Sequence, residues 1–284
     1  MNEKVIEYYN QTEIDYRWLW RLGRNLAIHY GYYDEQHRNH DMAVVNFNRV
    51  LALMASIKET DTVLDAGCGI GGSSIWLAKN KGCKVVGISI VPRQIERARS
   101  LAKKHGVEHL VTFELQDYNQ TSLPNNHFDV VWGLESICYA VNKKLFLIEA
   151  RRLLKNDGRI IIADGFTNRK PSTPKETYVQ QKWLEGWAVP NLASEESFSG
   201  DLRDLGFKEI RFTDVTDHVA PSSLRLYMAS FAAYPFARCM QYLGMRTKTQ
   251  MDNVLAAHYQ YRALKSGLWR YGIFSAKKGS NLGI

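Results

Sequence analysis

Val63-Leu64-Asp65-Ala66-Gly67-Cys68-Gly69-Ile70-Gly71-Gly72 is a short apolar run that ends in an acid and breaks into a glycine-rich turn. Ser73-Ser74 then opens a helix. Glycines at the mouth of a parallel strand let backbone approach a ligand closely, and the helix that follows offers free N–H donors. The spacing Gly67-x-Gly69-x-x-Gly72 also fits a dinucleotide fingerprint. Asp65 separates the two readings. A carboxylate two residues before the turn repels a pyrophosphate, whereas it suits a ligand that carries ammonium or sulfonium charge.

Outward from this turn, strands and helices alternate. Residues 84–89 form a second strand, and Pro92 opens a helix whose apolar face is Ile95, Ala98, Leu101 and Ala102, stopping at Gly106. Strands follow at 111–115, 128–132 and 159–164, with a helix over 142–156 ended by Gly158. Upstream, 41–58 reads as an amphipathic helix, preceded by one or two short helices within residues 1–33. Downstream, helices over 176–187 and 194–205, a strand over 207–215 and a long helical segment over 221–266, broken near Pro235, lead to a last strand at 268–276. The pattern predicts an α/β fold: a Rossmann-like, doubly wound, mostly parallel seven-stranded sheet with an antiparallel edge. An N-terminal helical flap (1–40), a core (41–165) and a C-terminal part (166–284) of cap helices and the last two strands complete it. The insertions are expected to cap the carboxyl ends of the strands, where open α/β sheets bind ligands.

Composition narrows the class. The chain has 284 residues, is 45% hydrophobic and carries a formal charge of +8, with a pI near 9.2. Its charges are not gathered into a tail and no nucleic-acid module is recognisable, so nucleic acid is not an expected partner. Cys68, Cys83, Cys138 and Cys239 show no CxxC spacing, and the histidines show no HxxxH, so no metal site is predicted. A metal held jointly by substrate phosphates would leave no such motif. No signal-peptide run or stretch of transmembrane length is read, and a cytoplasmic location is expected. A homo-oligomer is compatible with the sequence.

The glycine turn resembles the first motif of the class I S-adenosylmethionine (SAM)-dependent methyltransferases. Gly87-Ile88-Ser89-Ile90-Val91-Pro92-Arg93-Gln94 resembles Gly-Ile-(Thr/Ser)-Leu-Ser-Pro-x-Gln of a narrower branch, the sterol, tocopherol, prenyl-diphosphate and natural-product methyltransferases. The second strand lacks the terminal acid on which NAD sites rely. The resemblance, strong over about residues 60 to 165, implies SAM as cofactor. It implies contacts from Asp65, Gly67, Gly69, Ser89, Ile90, Gln94, Leu134, Asp117 and Tyr118, the last two at the adenine. Three of these have a plainer reading beside them: Asp65 as a helix-side cap, Asp117 as a turn residue, Gln94 as a solvent-facing side chain.

Candidate catalytic residues come from the same resemblance. Leu134-Glu135-Ser136 follows the fourth strand, where the branch has a Glu-Ser/Ala pair, and Tyr139 stands near the position of its histidine. Glu135 is either a general base and stabiliser of a cationic intermediate or a structural acid bonded to backbone N–H groups. His29 and Tyr30 match the branch's His-Tyr/Phe-Gly segment, against the reading of His29 as a satisfied polar group. Eight Tyr and Trp side chains, Tyr16 among them, crowd the first 33 residues, as packing or as an aromatic lid over a cation. Arg17, Arg21 and Arg24 share a helical face, solvated or clamping an anionic substrate group. Tyr16, Arg17, Arg21, Tyr139 and Trp183 are the expected acceptor contacts.

Together these imply methyl transfer from SAM to a small-molecule acceptor, anionic or lipid-like. A prenyl, terpenoid or sterol-like carbon leads; N- or O-methylation of an amine or phenol is the alternative. A nucleotide-dependent oxidoreductase and a non-catalytic SAM-binding module are the rivals from other classes.

Overall fold

Seven strands form one sheet in the order β3-β2-β1-β4-β5-β7-β6. The computed structural model describes residues 2–19 and 25–279, residues 2 and 17–19 by backbone alone. The strands are β1 (Thr62–Ala66), β2 (Lys84–Ser89), β3 (Val111–Leu115), β4 (Phe128–Leu134), β5 (Leu154–Thr167), β6 (Phe207–Asp214) and β7 (Trp269–Lys278). The first five are parallel, and β7 is antiparallel to both β5 and β6. β1 lies between β2 and β4, so the chain reverses its direction of winding there, and the crevice at the carboxyl ends of β1 and β4 is the place for a ligand. The central strands, covered on both faces, have apolar middles: Val63, Leu64, Val130, Val131 and Trp132 are fully buried.

Helices α2 (His40–Met54), α3 (Gly72–Lys81), α4 (Pro92–Lys104) and α5 (Lys143–Leu153) flank these strands. Pro92 occupies the first turn of α4, where its missing N–H breaks no helical bond. Asn39 and Asn142 cap α2 and α5, their side chains accepting from Met42 N and Lys144 N. The remaining helices, α6 (Pro174–Gly186), α7 (Glu195–Asp204), α8 (Thr216–Tyr242) and α9 (Lys248–Lys265), precede β6 or β7 in pairs. Gly186 lets α6 pack tightly against α9: a Cβ there would stand 2.5 Å from Asp252 O and 2.8 Å from Ala256 Cβ. Gly186→Ala is therefore expected to lower stability by about 1–3 kcal/mol, read as a shifted midpoint in denaturant unfolding.

Of the one or two short helices expected within residues 1–33, α1 (Asn2–Leu19) is described, 18 residues long, and 26–39 is largely irregular. Two expectations are corrected. Helix α5 ends at Leu153, not near 156, because β5 begins at Leu154 and reaches Arg159 through an irregularity in its pairing with β4. The long C-terminal helical segment does not break near Pro235. Both Pro221 and Pro235 lie inside α8, which ends instead at Tyr242 with Leu243 as its cap. There Gly244 takes a left-handed φ of 72°, and Met245 N closes onto Met240 O at 2.8 Å, a glycine-dependent helix stop.

Candidate active site

The glycine turn is built as its residue types require. Gly67, Gly69 and Gly71 have φ of 87°, 54° and 82°, and Gly67 N and Cys68 N both donate to Ile88 O at 2.9 Å, tying the turn to the end of β2. Ser136 Oγ donates to Ala66 O at 2.5 Å from the other side. A Cβ on Gly67 would fall inside van der Waals contact of Ser136 Cβ. Backbone thus frames the floor of a cavity enclosing about 800 Å³ of empty space, its open mouth included.

Most of the predicted cofactor residues meet in that cavity: Asp65, Gly67, Gly69, Ser89, Ile90, Gln94, Tyr118 and Leu134 all line it. Asp65 is buried and accepts from Ser74 Oγ at 2.6 Å, so it also braces the first turn of α3. Burial pushes its carboxyl up to about 6, against the pull of the Ser74 donors. Ser89 Oγ donates to Gln94 Oε1 at 2.9 Å, which fixes Gln94 toward the cavity rather than solvent. Asp117 lies apart, in an adjoining hollow that shares Ile90, Tyr118 and Tyr139 with the first; its Oδ1 accepts from Asn119 N and Nδ2. Tyr118 O–H donates to Ser136 O at 3.0 Å, linking that hollow to the glycine turn.

A second cavity, of about 610 Å³ on the same measure, lies beyond Glu135. Tyr9, Ile28, Glu135 and Tyr139 line both cavities and form the partition between them. The second is walled by aromatic rings, Tyr16, Tyr30, Trp183, Trp187, Trp269 and Tyr271, with Glu135 and Asp164 as its carboxylates and no lysine or arginine among its described lining. Predicted acceptor residues Tyr16, Tyr139 and Trp183 are all present. The side chains of Arg17, Arg21 and Arg24 lie outside the described residues.

Glu135 is the most constrained residue here. It leaves β4 with φ of 51°, a left-handed conformation uncommon for a non-glycine residue and typical of strained functional positions. Its Oε1 accepts from Tyr30 N and from Tyr271 O–H, each at 2.8 Å, while Oε2 has no protein donor among the described residues. Burial pushes its carboxyl up to about 8, opposed by those donors. His29 Nδ1 lies 2.7 Å from Tyr30 O, and since a carbonyl only accepts, Nδ1 carries the proton. Burial lowers the His29 pKa to about 4, so the ring is neutral, and its Nε2 is enclosed without a partner among the described residues. Tyr30 O–H is taken by Gln260 Oε1 at 3.0 Å, so it is the backbone N–H of Tyr30 that reaches Glu135. The His29–Tyr30 segment thus orients the carboxylate.

Several residues in and behind the cavity walls carried no sequence motif. Asp164, at the carboxyl half of β5, accepts from Cys138 N and Gly165 N at 2.8 Å each, and burial raises its pKa. Lys143 is buried, with Nζ donating to Cys138 O, Ala140 O and Asn191 O, which staples the 137–140 turn to the loop between α6 and α7. Trp269 and Tyr271 share one face of β7, and the period-two alternation of that strand was the available signal. Tyr9 was legible only as part of the N-terminal aromatic cluster.

A protein-family model described as a methyltransferase domain matches residues 57–198. The probable chloroplastic tocopherol O-methyltransferase of Oryza sativa subsp. japonica is 30% identical over 208 residues, covering 68% of this chain and 58% of that protein's length. The sarcosine/dimethylglycine N-methyltransferase of Halorhodospira halochloris is 31% identical over 218 residues, 75% of each chain. Among solved structures, the cyclase SpnF superposes with a TM-score of 0.80 at 21% identity, over 99% of this chain and 98% of that one. The first two act on different atoms, oxygen and nitrogen, and the third likeness is one of fold.

Proposed function

Because this chain belongs to the class I SAM-dependent methyltransferases, whose work here is methyl transfer to a small molecule, we propose that its acceptor is a lipid-like metabolite methylated on a prenyl, terpenoid or sterol-like alkene carbon. The residues fit the cofactor: a cradle of left-handed glycines admits backbone approach, and Ser89, Gln94 and Asp65 face the same space. Asp117 and Tyr118 would hold the adenine end in the adjoining hollow. SAM supplies a methyl group already activated on a sulfonium.

The observation that carries the acceptor class is Glu135 in the partition of a largely aromatic chamber with no lysine or arginine among its described lining. When an alkene carbon takes a methyl group, its π electrons form the new C–C bond and the neighbouring carbon becomes cationic. The ring faces of Tyr16, Tyr30, Trp183 and Trp269 stabilise that charge, as does a carboxylate. Glu135 Oε2 then accepts the proton whose loss restores the double bond. A second reading, N-methylation of an amine, draws on the two carboxylates in one chamber, which would hold an ammonium centre equally well.

The test is transfer of isotopically labelled methyl from SAM into prenyl, terpenoid and sterol-like alkenes and into amines of matched shape, with the methylated atom located by mass spectrometry and NMR. Methylation on carbon is expected. Methylation confined to amines would replace the first reading with the second.

Glu135 also predicts a pH signature. Its carboxyl holds a proton up to about pH 8 in the cofactor-free protein, while a sulfonium beside it favours the ionised form. SAM binding below that pH must therefore release the proton. SAM affinity should rise with pH, by up to about tenfold per unit, and level off above about 8. S-Adenosylhomocysteine, which lacks the sulfonium charge, should show a flatter profile. Calorimetry with both ligands across this range reads the difference, and parallel profiles would remove Glu135 from the neighbourhood of the methyl donor.

A further inference from the structure

The hairpin of α8 and α9 ends in a tip that the rest of the described fold leaves bare. Residues 231–245 contain a single charged side chain, Arg238. Phe231, Tyr234, Phe236, Tyr242, Leu243 and Met245 are all exposed, Phe236 at 66% and Tyr242 at 91%. Leu224 and Met228, also exposed, continue the face with Phe231 at helical spacing. What holds the two arms together here is a small cluster of Ala237, Met251 and Val254. So many large apolar side chains exposed together mark an interaction site.

Charge selects the occupant. No Asp or Glu occurs between Asp217 and Asp252, whereas Arg225, Arg238, Arg246 and Lys248 do. Arg246 and Lys248 are paired with Asp15 and Asp252 on the core side of the tip, and Arg238 stands among the exposed aromatics. A second copy placed face to face would oppose like charges across the apolar contact. A lipid surface offers apolar depth to the rings and anionic headgroups to the arginines, on a chain of net charge +8. No described helix is long and apolar enough to cross a membrane, so the fitting mode is shallow insertion.

The tip also adjoins the flap. Arg246 bonds Asp15 at 2.8 Å, Thr247 Oγ1 donates to Gln11 Oε1 at 2.7 Å, and Gln250 Nε2 donates to Gln11 O. Helix α1, thus held, carries Tyr9 and Tyr16 into the wall of the second cavity. We propose that the tip of the α8–α9 hairpin docks on an anionic lipid surface, bringing the α1 side of the acceptor chamber to the membrane.

Flotation of the full chain with phosphatidylcholine vesicles, with and without phosphatidylglycerol, tests this. Binding is expected to require phosphatidylglycerol and to weaken with salt. Phe236→Ser/Leu243→Ser should lower partitioning at least about tenfold and Arg238→Glu at least about fivefold, with S-adenosylhomocysteine affinity unchanged as proof of folding. Should either variant lose that affinity, amide hydrogen exchange of the wild type decides instead: vesicles should protect residues 231–245. Absence of binding to anionic vesicles, binding untouched by folded variants, or protection confined to other segments overturns the proposal. So does a wild-type dimer in sedimentation equilibrium that these variants dissociate, which would make a second copy the occupant.

Discussion

Replacing Glu135 by glutamine should slow methyl transfer by about a hundredfold or more, while S-adenosylhomocysteine affinity stays within about threefold. The amide is isosteric, and its oxygen still accepts from Tyr30 N and Tyr271 O–H, so the 2.8 Å contacts that fix the side chain survive. What is lost is the proton-accepting carboxylate and its negative charge, the two things the proposed chemistry uses. Single-turnover rates separate this from a binding defect. A variant that turns over at the wild-type rate would make Glu135 a structural acid, held at φ 51° only to close the partition. Tyr271→Phe supplies a graded companion. It removes one donor to Oε1, which raises the Glu135 pKa further and should move upward the pH at which SAM affinity levels off.

The second large effect falls on the glycine turn. Gly67→Ala is expected to weaken SAM binding at least about a hundredfold and to destabilise the fold by about 1–3 kcal/mol. The left-handed φ of 87° strains any side chain, and the added methyl collides with Ser136, whose hydroxyl bonds Ala66 O. Relief requires the 134–136 segment to move, and with it Glu135. Gly69→Ala is the control. Its φ of 54° lies in the ordinary left-handed region, and the nearest atom to its Cβ is Ile28 Cδ1 at 4.0 Å, so only the backbone preference is lost. Calorimetric titration and thermal unfolding of the two variants should rank Gly67→Ala far below Gly69→Ala; equal losses would mean that the contact with Ser136 does not matter.

Local chemistry made the sheet legible. β2 and β3 occupy the expected residues: β2, inside the sheet, carries the run Val85-Val86-Gly87-Ile88, the edge strand β3 alternates with Val111 and Phe113 buried, and Gly106 marks the end of the helix between them. Pro235 misled because its rule is a local one. A proline removes one N–H and crowds the carbonyl four residues back, but on a helix arm with Phe231, Tyr234 and Phe236 exposed that carbonyl can turn to water and the helix runs on. Gly244 was the stronger stop signal. The lining of the first cavity could be read from the sequence because its residues follow consecutive strands within one stretch. That of the second is legible only in part: Tyr16, Tyr139 and Trp183 are, Tyr271 and Asp164 are not. Tyr271 reaches Glu135 only because β7 inserts antiparallel between β5 and β6, and Asp164 faces the chamber through that same pairing. Contacts made by residues 136 positions apart in sequence leave no spacing to find.

The most direct single measurement is calorimetric titration of the purified chain with SAM, S-adenosylhomocysteine and NADH. Asp65 before the turn, and a second strand that ends in Ser89 without a ribose-binding acid, predict micromolar-range binding of the first two and none of NADH. Binding of NADH with SAM silent would contradict the reading of the glycine turn, and with it the donor cavity, the partition at Glu135 and the acceptor chamber behind it.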